Sequence, residues 1–572
     1  MRNSEVAQAL NEIAVLLEIE GKPESKQKAR AYDRAARSVA SLGEDIETIS
    51  ARGELMGIPG VGKSLAEKID TFLKTGSIPA LEELRRKIPV KVRELDAIPG
   101  VGPMTMKLLY ENLGITDLES LEKAVKEQRL TDLKGIGKKT VDQIVEGIQL
   151  VRAGLGRTLL ADAFPIAESI EKSLKGVQGV QQIIIAGSFR RRKETIGDID
   201  VLVDADDSTQ VMEAFVHLAD VADVLAHGPT KSSVRLRTGL QVDVRVLPPD
   251  SFGAGLQYFT GNIDHNVHVR TIAQKMGFRL SEYGLFKGEV QVAGKDEEEI
   301  YKKLGLDLMP PELREDKGEI EAAQRHELPQ LVSLRDVKGD LHSHTDKSDG
   351  ANTTEEMIDA ASKRGYDYYC VSDHTKSLTI AGGMDEKQML KAFEAIDRIN
   401  SSGRWKMKVL KGAEVDILAN GDLDISDQVL EQMDVVTVSV HSRMKDTKEA
   451  ITDRVCTALQ SKHAHILGHP TGRLLLKRSE YEIDLERVFE VARENKVIME
   501  LNSHPQRLDL NDGNLRAAKR FGLKIAINTD AHRVSELSNM PFGVFQARRG
   551  WIEPKDVVNT YPLKALLKEI RK

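Results

Sequence analysis

The spacing of apolar residues changes twice along the chain. From residue 1 to about 157, apolar positions recur every three or four residues, as in ALNEIAVLLEIEG and ARAYDRAARSVASL, which predicts amphipathic helices broken by Gly/Pro clusters. The β-branched runs QQIIIAGSF, IDVLVDAD and QVDVRVLP then predict strands of a mixed α/β unit. A charged, proline-bounded stretch from 310 to about 334 is interpreted as a linker that could hold one short helix. Beyond it, strand-like and helical segments alternate to the end, which predicts a parallel α/β architecture.

The composition of the chain limits the number of domains, the kind of binding surface and the cellular compartment that can be expected. The 572 residues, 40% of them hydrophobic, suffice for three or four domains. The formal net charge of −7 excludes a uniformly basic nucleic-acid binder but leaves room for local basic surfaces. Cys370 and Cys456 are the only cysteines, so we expect neither a disulfide framework nor a thiolate zinc cluster. The first residues lack the features of a signal peptide and no apolar run approaches a membrane span, which together predict a cytoplasmic protein without a membrane partner.

A short glycine signature occurs three times in the helical region. The copies are GIPGVGKSLAEKI at 57–69, AIPGVGPMTMKLL at 97–109 and LKGIGKKTVDQI at 133–144, and each puts a G-x-G turn before a helix. The glycines permit positive φ, and the amides at a helix start favour a phosphate oxygen. One copy alone would be interpreted as a tight turn, but the three together resemble helix-hairpin-helix motifs, which hold the nucleic-acid backbone. The residues predicted to bind DNA are Gly57, Gly60, Gly62, Gly100, Gly102, Gly135, Gly137 and Lys138, the last beside Lys139.

Lysines near the first copy allow a sharper hypothesis. Lys63 and Lys68 lie on or beside its helix, and an earlier helix carries Lys28, Arg30 and Arg34. A lysine amine among other cations can act as a Schiff-base nucleophile. The alternative is that these lysines simply contact phosphates.

The segment IIIAGSFRRRKETIGDIDVLVD has the composition of a phosphate and metal site. Gly187 and Ser188 follow a strand and can approach phosphates, with arginines next in the chain. Asp198 and Asp200 are two residues apart on a strand, so both project from one face. If the strand of Asp243 pairs beside it, three carboxylates converge, and such a cluster needs a hard cation such as Mg²⁺. Ions there would suit nucleotidyl transfer to a primer hydroxyl.

GSFRRRKETIGDIDVLV resembles the nucleotidyltransferase palm of family X DNA polymerases, the polymerase beta type, and YFTGNIDHNVHVRTIAQKMGF resembles the dNTP-binding segment of that family. The resemblance implies that Asp198, Asp200 and Asp243 hold Mg²⁺ or Mn²⁺. It implies dNTP contacts from Gly187, Ser188, Arg191, Tyr258, Phe259, Gly261 and Asn266, a template contact from Arg270, and a lyase nucleophile at Lys68. Lys193 stands where the family commonly has glycine, and Ile263 and Asp264 depart from its usual polar pattern, so the loop conformation and the base contacts stay open.

Seven apolar runs in the C-terminal region each end in side chains that bind metals. These ends carry His342 and His344, His374, Glu414, His441, His469, Glu500 and Asn502, and Asp530 and His532. A single histidine there would be interpreted as a core residue, but repeated placement at strand ends is how a (β/α) barrel builds an active site. Imidazole and carboxylate ligands without thiolate suit Zn²⁺, Mn²⁺ or Fe²⁺, which could support phosphoester hydrolysis.

DLHSHTDKSDG, VSDH, GAEVDI, SVHS, LGHPTGR and NTDAH resemble the PHP (polymerase and histidinol phosphatase) family over about 335–572. The resemblance implies two or three Mn²⁺ and/or Zn²⁺ ions held by His342, His344, Asp349, His374, Glu414, His441, His469, Asp530 and His532. His463 and His465, just upstream of His469, are interpreted as structural.

The order of these parts resembles a bacterial or archaeal family X DNA polymerase with a PHP domain. The resemblance implies filling of short gaps in base excision repair on gapped or primer-template DNA with dNTPs, by a monomer. It also implies a Mn²⁺-dependent 3′–5′ exonuclease, with abasic-site endonuclease or 3′-phosphodiesterase activity as further options. Three alternatives stay open: a nuclease whose palm is only a DNA clamp, a barrel that is a small-molecule phosphatase, and a barrel that only stabilises the polymerase. The expected domains are a lyase-like helical domain (1–80), a second helical domain (81–156), the palm (157–250), a dNTP- and template-binding subdomain (251–315), a linker (316–334) and the PHP barrel (335–572).

Overall fold

A computed structural model describes residues 3–40, 42, 46–96, 98, 100–130, 133, 135–154 and 156–570. Some residues of the predicted second and third glycine motifs, Ala97, Pro99 and Lys134, lie outside the described residues, as does the side chain of Lys139. The chain forms two compact units, one of residues 1–155 with 476–479 and the other of 156–475 with 480–572.

The first unit is helical, as its apolar spacing predicts. Leu10, Ile13 and Leu16 lie three residues apart on its first helix and are fully buried, because that period places them on one face. Its helices are α1 (Asn3–Glu20), α2 (Pro23–Ala40), α3 (Ile46–Ala51), α4 (Lys63–Thr75), α5 (Pro79–Lys87), α6 (Val92–Asp96), α7 (Pro103–Leu113), α8 (Leu118–Lys126) and α9 (Lys138–Gly154).

The second unit begins with a five-stranded sheet in which the central pair of strands is parallel. Its strands run in the order β2-β4-β7-β6-β5, and a small pair, β1 with β3, lies beside it. The elements are β1 (Thr158–Leu159), α10 (Leu160–Lys175), β2 (Val180–Ile185), α11 (Gly187–Arg190), β3 (Thr195–Ile196), β4 (Asp198–Ala205), α12 (Ser208–Val216), β5 (Val221–His227), β6 (Lys231–Leu236) and β7 (Gln241–Val246). Ile199, Val201 and Val203 are fully buried, so the aspartates between them face away from the core.

Helices and a three-stranded antiparallel sheet follow this sheet in the chain. They are α13 (Phe252–Thr260), α14 (Ile263–Lys275), β8 (Arg279–Ser281), β9 (Gly284–Lys287), β10 (Val290–Ala293), α15 (Glu297–Lys303) and α16 (Glu319–Gln324). The helix α16 lies in the segment expected to be a linker. Its Ile320 and Ala323 are buried in the same cluster as Leu306 and Met309, so this part of the segment is packed rather than free.

The C-terminal region is a barrel of seven parallel strands taken in chain order. Its elements are β11 (Gly339–Asp340), α17 (Thr354–Lys363), β12 (Tyr368–Val371), α18 (Glu386–Ser402), β13 (Lys408–Asp416), α19 (Asp427–Leu430), β14 (Val435–Ser439), α20 (Lys448–Leu459), β15 (Ile466–Leu467), α21 (Leu485–Glu494), β16 (Ile498–Asn502), α22 (Asp512–Arg520), β17 (Ile525–Asn528), α23 (Met540–Arg549) and α24 (Leu563–Ile570). The first and last strands meet where the Asp530 amide donates to the His342 carbonyl (3.0 Å) and the His344 amide donates to the Ala531 carbonyl (2.8 Å). The predicted (β/α) barrel is therefore confirmed, and all its strand ends share one rim.

Short 3-10 turns connect these elements at Leu55–Gly57, Pro249–Ser251, Pro311–Leu313, Leu334–Asp336, Thr379–Ala381, Val534–Asn539, Pro554–Asp556 and Val558–Thr560. Within the described part of the chain, no helix combines the length and apolar character needed to cross a bilayer.

Candidate active sites

The palm-like sheet brings the three predicted carboxylates together. Strands β4 and β7 pair in parallel, with Asp200 directly beside Asp243 in the register. Asp198 projects from the same face of β4, since side chains repeat every second residue. Three acidic groups thus occupy neighbouring positions on two strands about 4.8 Å apart.

The electrostatics of this cluster fit a divalent cation. Burial, together with the charges of Asp198 and Asp243, raises the pKa of Asp200 to about 7 against the opposing effect of Arg245 and Arg191. Burial and the charge of Asp243 also raise the pKa of Asp198. Oxygen ligands that repel one another in this way suit Mg²⁺ or a similar hard ion, which would neutralise them.

Gly187 holds the adjacent loop against the aspartates. The Ala186 amide donates to the Asp200 carbonyl at 2.8 Å, which ties the start of the loop to β4. Gly187 has a φ of +59°, and a Cβ there would lie 2.5 Å from the Asp200 carboxylate oxygen Oδ2. Only glycine satisfies both the left-handed conformation and the close approach. Ser188, half-buried, follows Gly187 directly in the chain.

The predicted dNTP residues of α13 and α14 form a second group. Tyr258 and Phe259 pack edge to face at 5.0 Å, and the Asn266 side-chain amide donates to the Tyr258 carbonyl at 2.6 Å. Gly261, at the end of α13, admits Asn266 because a Cβ there would lie 2.6 Å from its amide oxygen. Arg270 lies over the Tyr258 ring, 6.0 Å from its centroid. The structure thus places these five residues in one neighbourhood.

Arg245 is a functional candidate that sequence reasoning missed. It follows Asp243 by two residues on β7, and its positive charge lowers the pKa of Asp200. Its guanidinium also stacks over the Phe259 ring at 4.6 Å. Arg245 therefore links the three carboxylates to the predicted dNTP residues of α13 and α14. The alternation in QVDVRV, which puts Asp243 and Arg245 on one face, was the available signal.

Arg191 is held between the two groups. Its Nε donates to Glu315 Oε1 at 2.9 Å, and its Nη1 donates to the Thr260 carbonyl at 2.8 Å. Its charge lowers the pKa of both Asp198 and Asp200, so it faces the carboxylates as well. Glu315 was not foreseen, since it lies 124 residues away in the chain.

The rim of the barrel gathers the nine predicted metal ligands. Three overlapping groups have ligand atoms within 4.8 Å of one another, namely His344, Asp349, His374 and His532; His342, His344, Glu414 and Asp530; and His374, Glu414 and His441. The ninth residue, His469, joins through its Nε2, which lies 2.8 Å from Glu414 Oε1. Glu414 therefore lies at the centre of the site.

The donor atoms of this rim fit metal ions. Nε2 of His342, Nδ1 of His344 and Nδ1 of His374 are buried without a hydrogen-bond partner. Burial, with the charges of His532 and His374, lowers the pKa of His344 to about 3, so that imidazole is neutral and can offer a lone pair. Burial raises the pKa of Asp349, but His532 and the other histidines lower it to about 2, which leaves an ionised carboxylate.

Carboxylates behind the rim orient the ligands. Glu500 Oε1 accepts from His342 Nδ1 at 2.7 Å, and Glu500 Oε2 accepts from the His469 amide at 2.7 Å. Asp416 Oδ1 accepts from His441 Nδ1 at 2.8 Å. Such partners fix the ring and present the other nitrogen to a metal. Sequence reasoning gave Glu500 a strand-end position without this role and missed Asp416.

His463 and His465 lie apart from the nine ligands. His465 Nδ1 accepts the Val436 amide at 3.0 Å, before strand β15 begins. This end of the strand is opposite to the rim that carries His469.

The helical unit presents the glycine turns. Gly60, Gly100 and Gly135 all have left-handed φ, of +80°, +89° and +104°, and in each motif the second glycine of the turn directly precedes α4, α7 or α9. Gly57, the first residue of the first motif, ends the 3-10 turn Leu55–Gly57. Gly62 and Gly102 precede α4 and α7, and Gly137 precedes Lys138, the exposed first residue of α9.

Lys68 lines a cleft of about 610 Å³ in this unit, together with Lys22, Lys28, Tyr32 and Lys87. Its Nζ donates to Ser64 Oγ at 2.7 Å and lies 5.8 Å from the centroid of the Tyr32 ring. Glu20 and Glu83 also line the cleft and pair with Lys22 and Lys87, so it holds four lysines and two glutamates beside the Tyr32 ring. A cleft of this size with an excess of lysines can admit a phosphate-bearing group.

Known families match five stretches of the chain. The DNA polymerase beta palm matches residues 161–242, and the DNA polymerase beta thumb matches 255–315. The helix-hairpin-helix domain matches 1–78, and the SAM-like helix-hairpin-helix tandem matches 92–149. The PHP domain matches 340–504.

Relatives match over the whole chain and over its parts. The DNA polymerase/3′-5′ exonuclease PolX of Bacillus subtilis (strain 168) is 36% identical over 569 residues, which cover 99% of this chain and 98% of the relative. DNA polymerase lambda of Rattus norvegicus is 26% identical over 55% of this chain and 56% of its own. A probable phosphatase of Thermoanaerobacter sp. (strain X514) is 28% identical over 40% of this chain and 94% of its own. With its palm carboxylates and its ligand-bearing barrel in place, the chain belongs to the family X DNA polymerases that carry helix-hairpin-helix domains and a C-terminal PHP domain.

Proposed function

We propose that the chain fills short gaps in DNA during base excision repair, by template-directed synthesis in the palm and 3′–5′ exonuclease action in the barrel. The observation that carries the proposal is the pairing of Asp200 with Asp243, beside Asp198 and the Gly187 turn. The likeness to PolX over nearly the full chain supports the combination of activities.

In the palm, Asp198, Asp200 and Asp243 would hold Mg²⁺ or Mn²⁺, whose chemistry is to activate a primer hydroxyl and neutralise the triphosphate. The chain's own groups bind and orient the nucleotide. The Gly187 backbone, the Ser188 hydroxyl and the Arg191 guanidinium bind the phosphates. Tyr258, Phe259 and Gly261 flank the sugar, Asn266 lies near the base, and Arg270 contacts the template side.

In the barrel, the nine rim residues would hold two or three ions, and Mn²⁺ and/or Zn²⁺ suit a set of imidazoles and carboxylates without thiolate. Their chemistry is to supply a nucleophilic hydroxide and to neutralise a phosphodiester. Glu500 and Asp416 hold the imidazoles of His342 and His441 in the orientation this needs. Abasic-site endonuclease and 3′-phosphodiesterase activities would use the same hydrolysis.

The likeness of the barrel to a probable phosphatase favours a second candidate for this site, hydrolysis of a small phosphate monoester. Turnover of histidinol phosphate compared with turnover of a primer 3′ end decides between them. Faster turnover of histidinol phosphate would refute the exonuclease.

The glycine turns of the helical unit would grip the DNA backbone through Gly57, Gly60, Gly62, Gly100, Gly102, Gly135, Gly137 and Lys138. Lys68, in its basic cleft, would be the Schiff-base nucleophile of a lyase step. Borohydride trapping on DNA with a 5′-deoxyribose phosphate tests this step. Trapping should be lost in Lys68→Ala and kept in Lys74→Ala, which changes an exposed lysine on the same helix paired with Asp70. Equal trapping by both variants would contradict it.

The main experiment separates the two sites. Labelled gapped DNA is incubated with Mn²⁺, with and without dNTPs, using wild type, Asp200→Asn and His344→Ala. We expect Asp200→Asn to lose extension and keep degradation, and His344→Ala to do the reverse. Extension that survives in Asp200→Asn would support the alternative in which the palm serves only as a clamp. Degradation that survives in His344→Ala would leave the barrel a stabilising module.

We further propose that the chain acts as a cytoplasmic monomer, where its substrate DNA is available. Sedimentation of the protein with and without gapped DNA tests the monomer. The domain boundaries given above stay predictions, and limited proteolysis of the full chain tests them.

A further inference from the structure

The five charged residues 190–194, here called the charged loop, connect the Gly187 turn to the strand of Asp198. They are Arg190, Arg191, Arg192, Lys193 and Glu194. By the proposed function this loop lies at the phosphates of the incoming nucleotide. Its partners come from the thumb and, less expectedly, from the barrel.

Arg549, the last residue of barrel helix α23, contacts the charged loop directly. Its side chain is 1% exposed, and its Nη1 donates to the Arg191 carbonyl at 3.0 Å. The same nitrogen lies 3.3 Å from Glu315 Oε1, and its Nη2 lies 3.0 Å from Asp512 Oδ2. Arg549 thus has three partners through its two terminal nitrogens, and a buried guanidinium with several partners is rigid.

Glu315 carries this contact to the side chain of Arg191. One oxygen of Glu315 accepts from Arg191 Nε at 2.9 Å and also faces Arg549. Because Nε and Nη1 of Arg191 are both held, the plane of its guanidinium is fixed. Its Nη2 has no hydrogen-bond partner among the described residues, which leaves that nitrogen for a phosphate oxygen. The burial of Glu315 raises its pKa, but Arg549, Lys193 and Arg191 together lower it, so the carboxylate is ionised.

The barrel also holds the middle of the charged loop. Arg192 has a φ of +55°, a left-handed conformation that is costly for a residue other than glycine. Its guanidinium lies 4.6 Å from the ring of Phe545 on α23, 5.1 Å from Phe164 and 5.4 Å from Phe189. Contacts with three rings hold the guanidinium in place, and its Nη1 is buried without a hydrogen-bond partner among the described residues. Left-handed backbone thus occurs at Arg192, one residue before the position where the family commonly has glycine.

The end of the charged loop is held as well. Arg473 of the barrel donates to both oxygens of Glu194, at 3.2 and 2.8 Å, and its side chain is 8% exposed. Gln546 of α23 adds a third donor at 3.3 Å. Bidentate pairs of this kind define orientation more strictly than a single bond does.

We propose that Arg549 is a positioning residue of the polymerase site, which fixes Arg191 for the triphosphate of the incoming nucleotide through Glu315 and the Arg191 carbonyl. The barrel is then a structural part of the nucleotide site, independently of its own hydrolytic chemistry. The inference rests on the proposed role of Arg191 as a phosphate contact.

The test is steady-state extension of one-nucleotide-gapped DNA by the full chain, with KM for the dNTP and kcat measured separately. Arg549→Ala should raise KM by about tenfold or more, because a misplaced phosphate contact weakens nucleotide binding, with a smaller change in kcat. Arg549→Lys, which cannot reach all three partners, should show an intermediate KM. Affinity for gapped DNA, measured by fluorescence anisotropy, should stay within twofold.

Arg487→Ala is the matched control. Arg487 is an arginine of the same barrel, 52% exposed and paired with Asp453 at 2.6 Å, and its loss should leave KM within twofold of wild type. Should Arg549→Ala fail to fold, as shown by its thermal transition, Arg549→Lys and Glu315→Gln decide, and both should raise KM.

Several outcomes overturn the inference. A fall in kcat at unchanged KM would show only a smaller active fraction, and a KM equal to that of Arg487→Ala would show no positioning. If wild type extends the primer and the Arg549 and Glu315 variants have the same KM for the dNTP as wild type, the inference about Arg549 fails while the proposed function stands. If wild type does not extend the primer at all, the proposed function fails first.

Discussion

The substitution Gly187→Ala should lower the rate of extension in the palm far more than it lowers the stability of the fold. Gly187→Ala places a Cβ 2.5 Å from Asp200 Oδ2, which is 0.9 Å closer than the 3.4 Å of ordinary contact. The neighbouring Ala186 amide is bonded to the Asp200 carbonyl, so the loop and the strand cannot simply separate. The carboxylate or the turn must therefore shift by most of that difference.

The magnitude follows from this displacement. A misplacement of about 1 Å at a reacting centre costs on the order of 10²-fold in rate. We therefore expect kcat for extension to fall by about 30- to 100-fold. Because alanine is strained at a φ of +59°, the substitution should also lower the free energy of unfolding by about 1–2 kcal/mol.

Gly239→Ala is the control that isolates the displacement. Gly239 lies in the same sheet domain between β6 and β7, has a φ of +88°, and a Cβ there would meet nothing within 4 Å. It should lose similar stability and keep full extension activity. Both variants should keep their exonuclease, because the barrel carries its own ligands.

The assay is single-turnover extension of gapped DNA, with calorimetry on the same preparations. Extension by Gly187→Ala within threefold of wild type would refute the reasoning. An equal loss in Gly239→Ala would refute it too, since strain alone would then account for the effect.

Three further predictions concern other sites. Asp416→Asn should weaken the hold on His441 and lower exonuclease activity by about 10- to 100-fold at limiting Mn²⁺, with recovery at high Mn²⁺; a loss that excess Mn²⁺ does not reduce, or one matched by Asp453→Asn, would argue against it. Burial tends to raise the pKa of Glu297, but Arg314 and Arg190 lower this pKa from its ordinary value of 4.5 to about 2. The ionised carboxylate therefore stabilises the fold above pH 4.5, and this contribution is lost as the pH falls toward 2. Glu297→Gln should thus lower the free energy of unfolding by about 3–5 kcal/mol at pH 7, since it leaves Arg314 buried without its charge partner. The difference in unfolding free energy between variant and wild type, measured by calorimetry, should shrink between pH 4.5 and 2. A difference that stays constant with pH would contradict this. Cys370 and Cys456 are buried and burial raises the pKa of both thiols, so neither should react with a disulfide reagent until urea unfolds the protein; rapid labelling of the native chain would show that these thiols are accessible.

Local periodicity explains what could be predicted from the sequence. Asp198 and Asp200 share a face because strand side chains repeat every second residue, and the alternating buried Ile199 and Val201 place that face away from the core. Eight of the nine predicted barrel ligands could be recognised because they follow apolar runs, and parallel strands bring such ends to one rim; Asp349, in a polar loop, came only from the resemblance to the PHP family. Turns, helices and strand ends depend on neighbours within a few residues.

Pairings between distant parts of the chain were decided only by the tertiary structure. The register that puts Asp243 beside Asp200 depends on how β4 and β7 pair. From the sequence alone, the three carboxylates could be expected to converge only if those two strands were neighbours. The contact between Arg549 and Arg191 joins residues 358 apart, and no local pattern marks either as a partner of the other. Asp416 looks like an ordinary strand residue, and Glu500 like one more strand-end carboxylate, until folding places both behind imidazoles. The sequence by itself determined which candidate residues share a strand face or a strand end, because short-range periodicity sets faces and ends. The fold decided which charged side chains hold those candidates, because burial and long-range packing choose such partners.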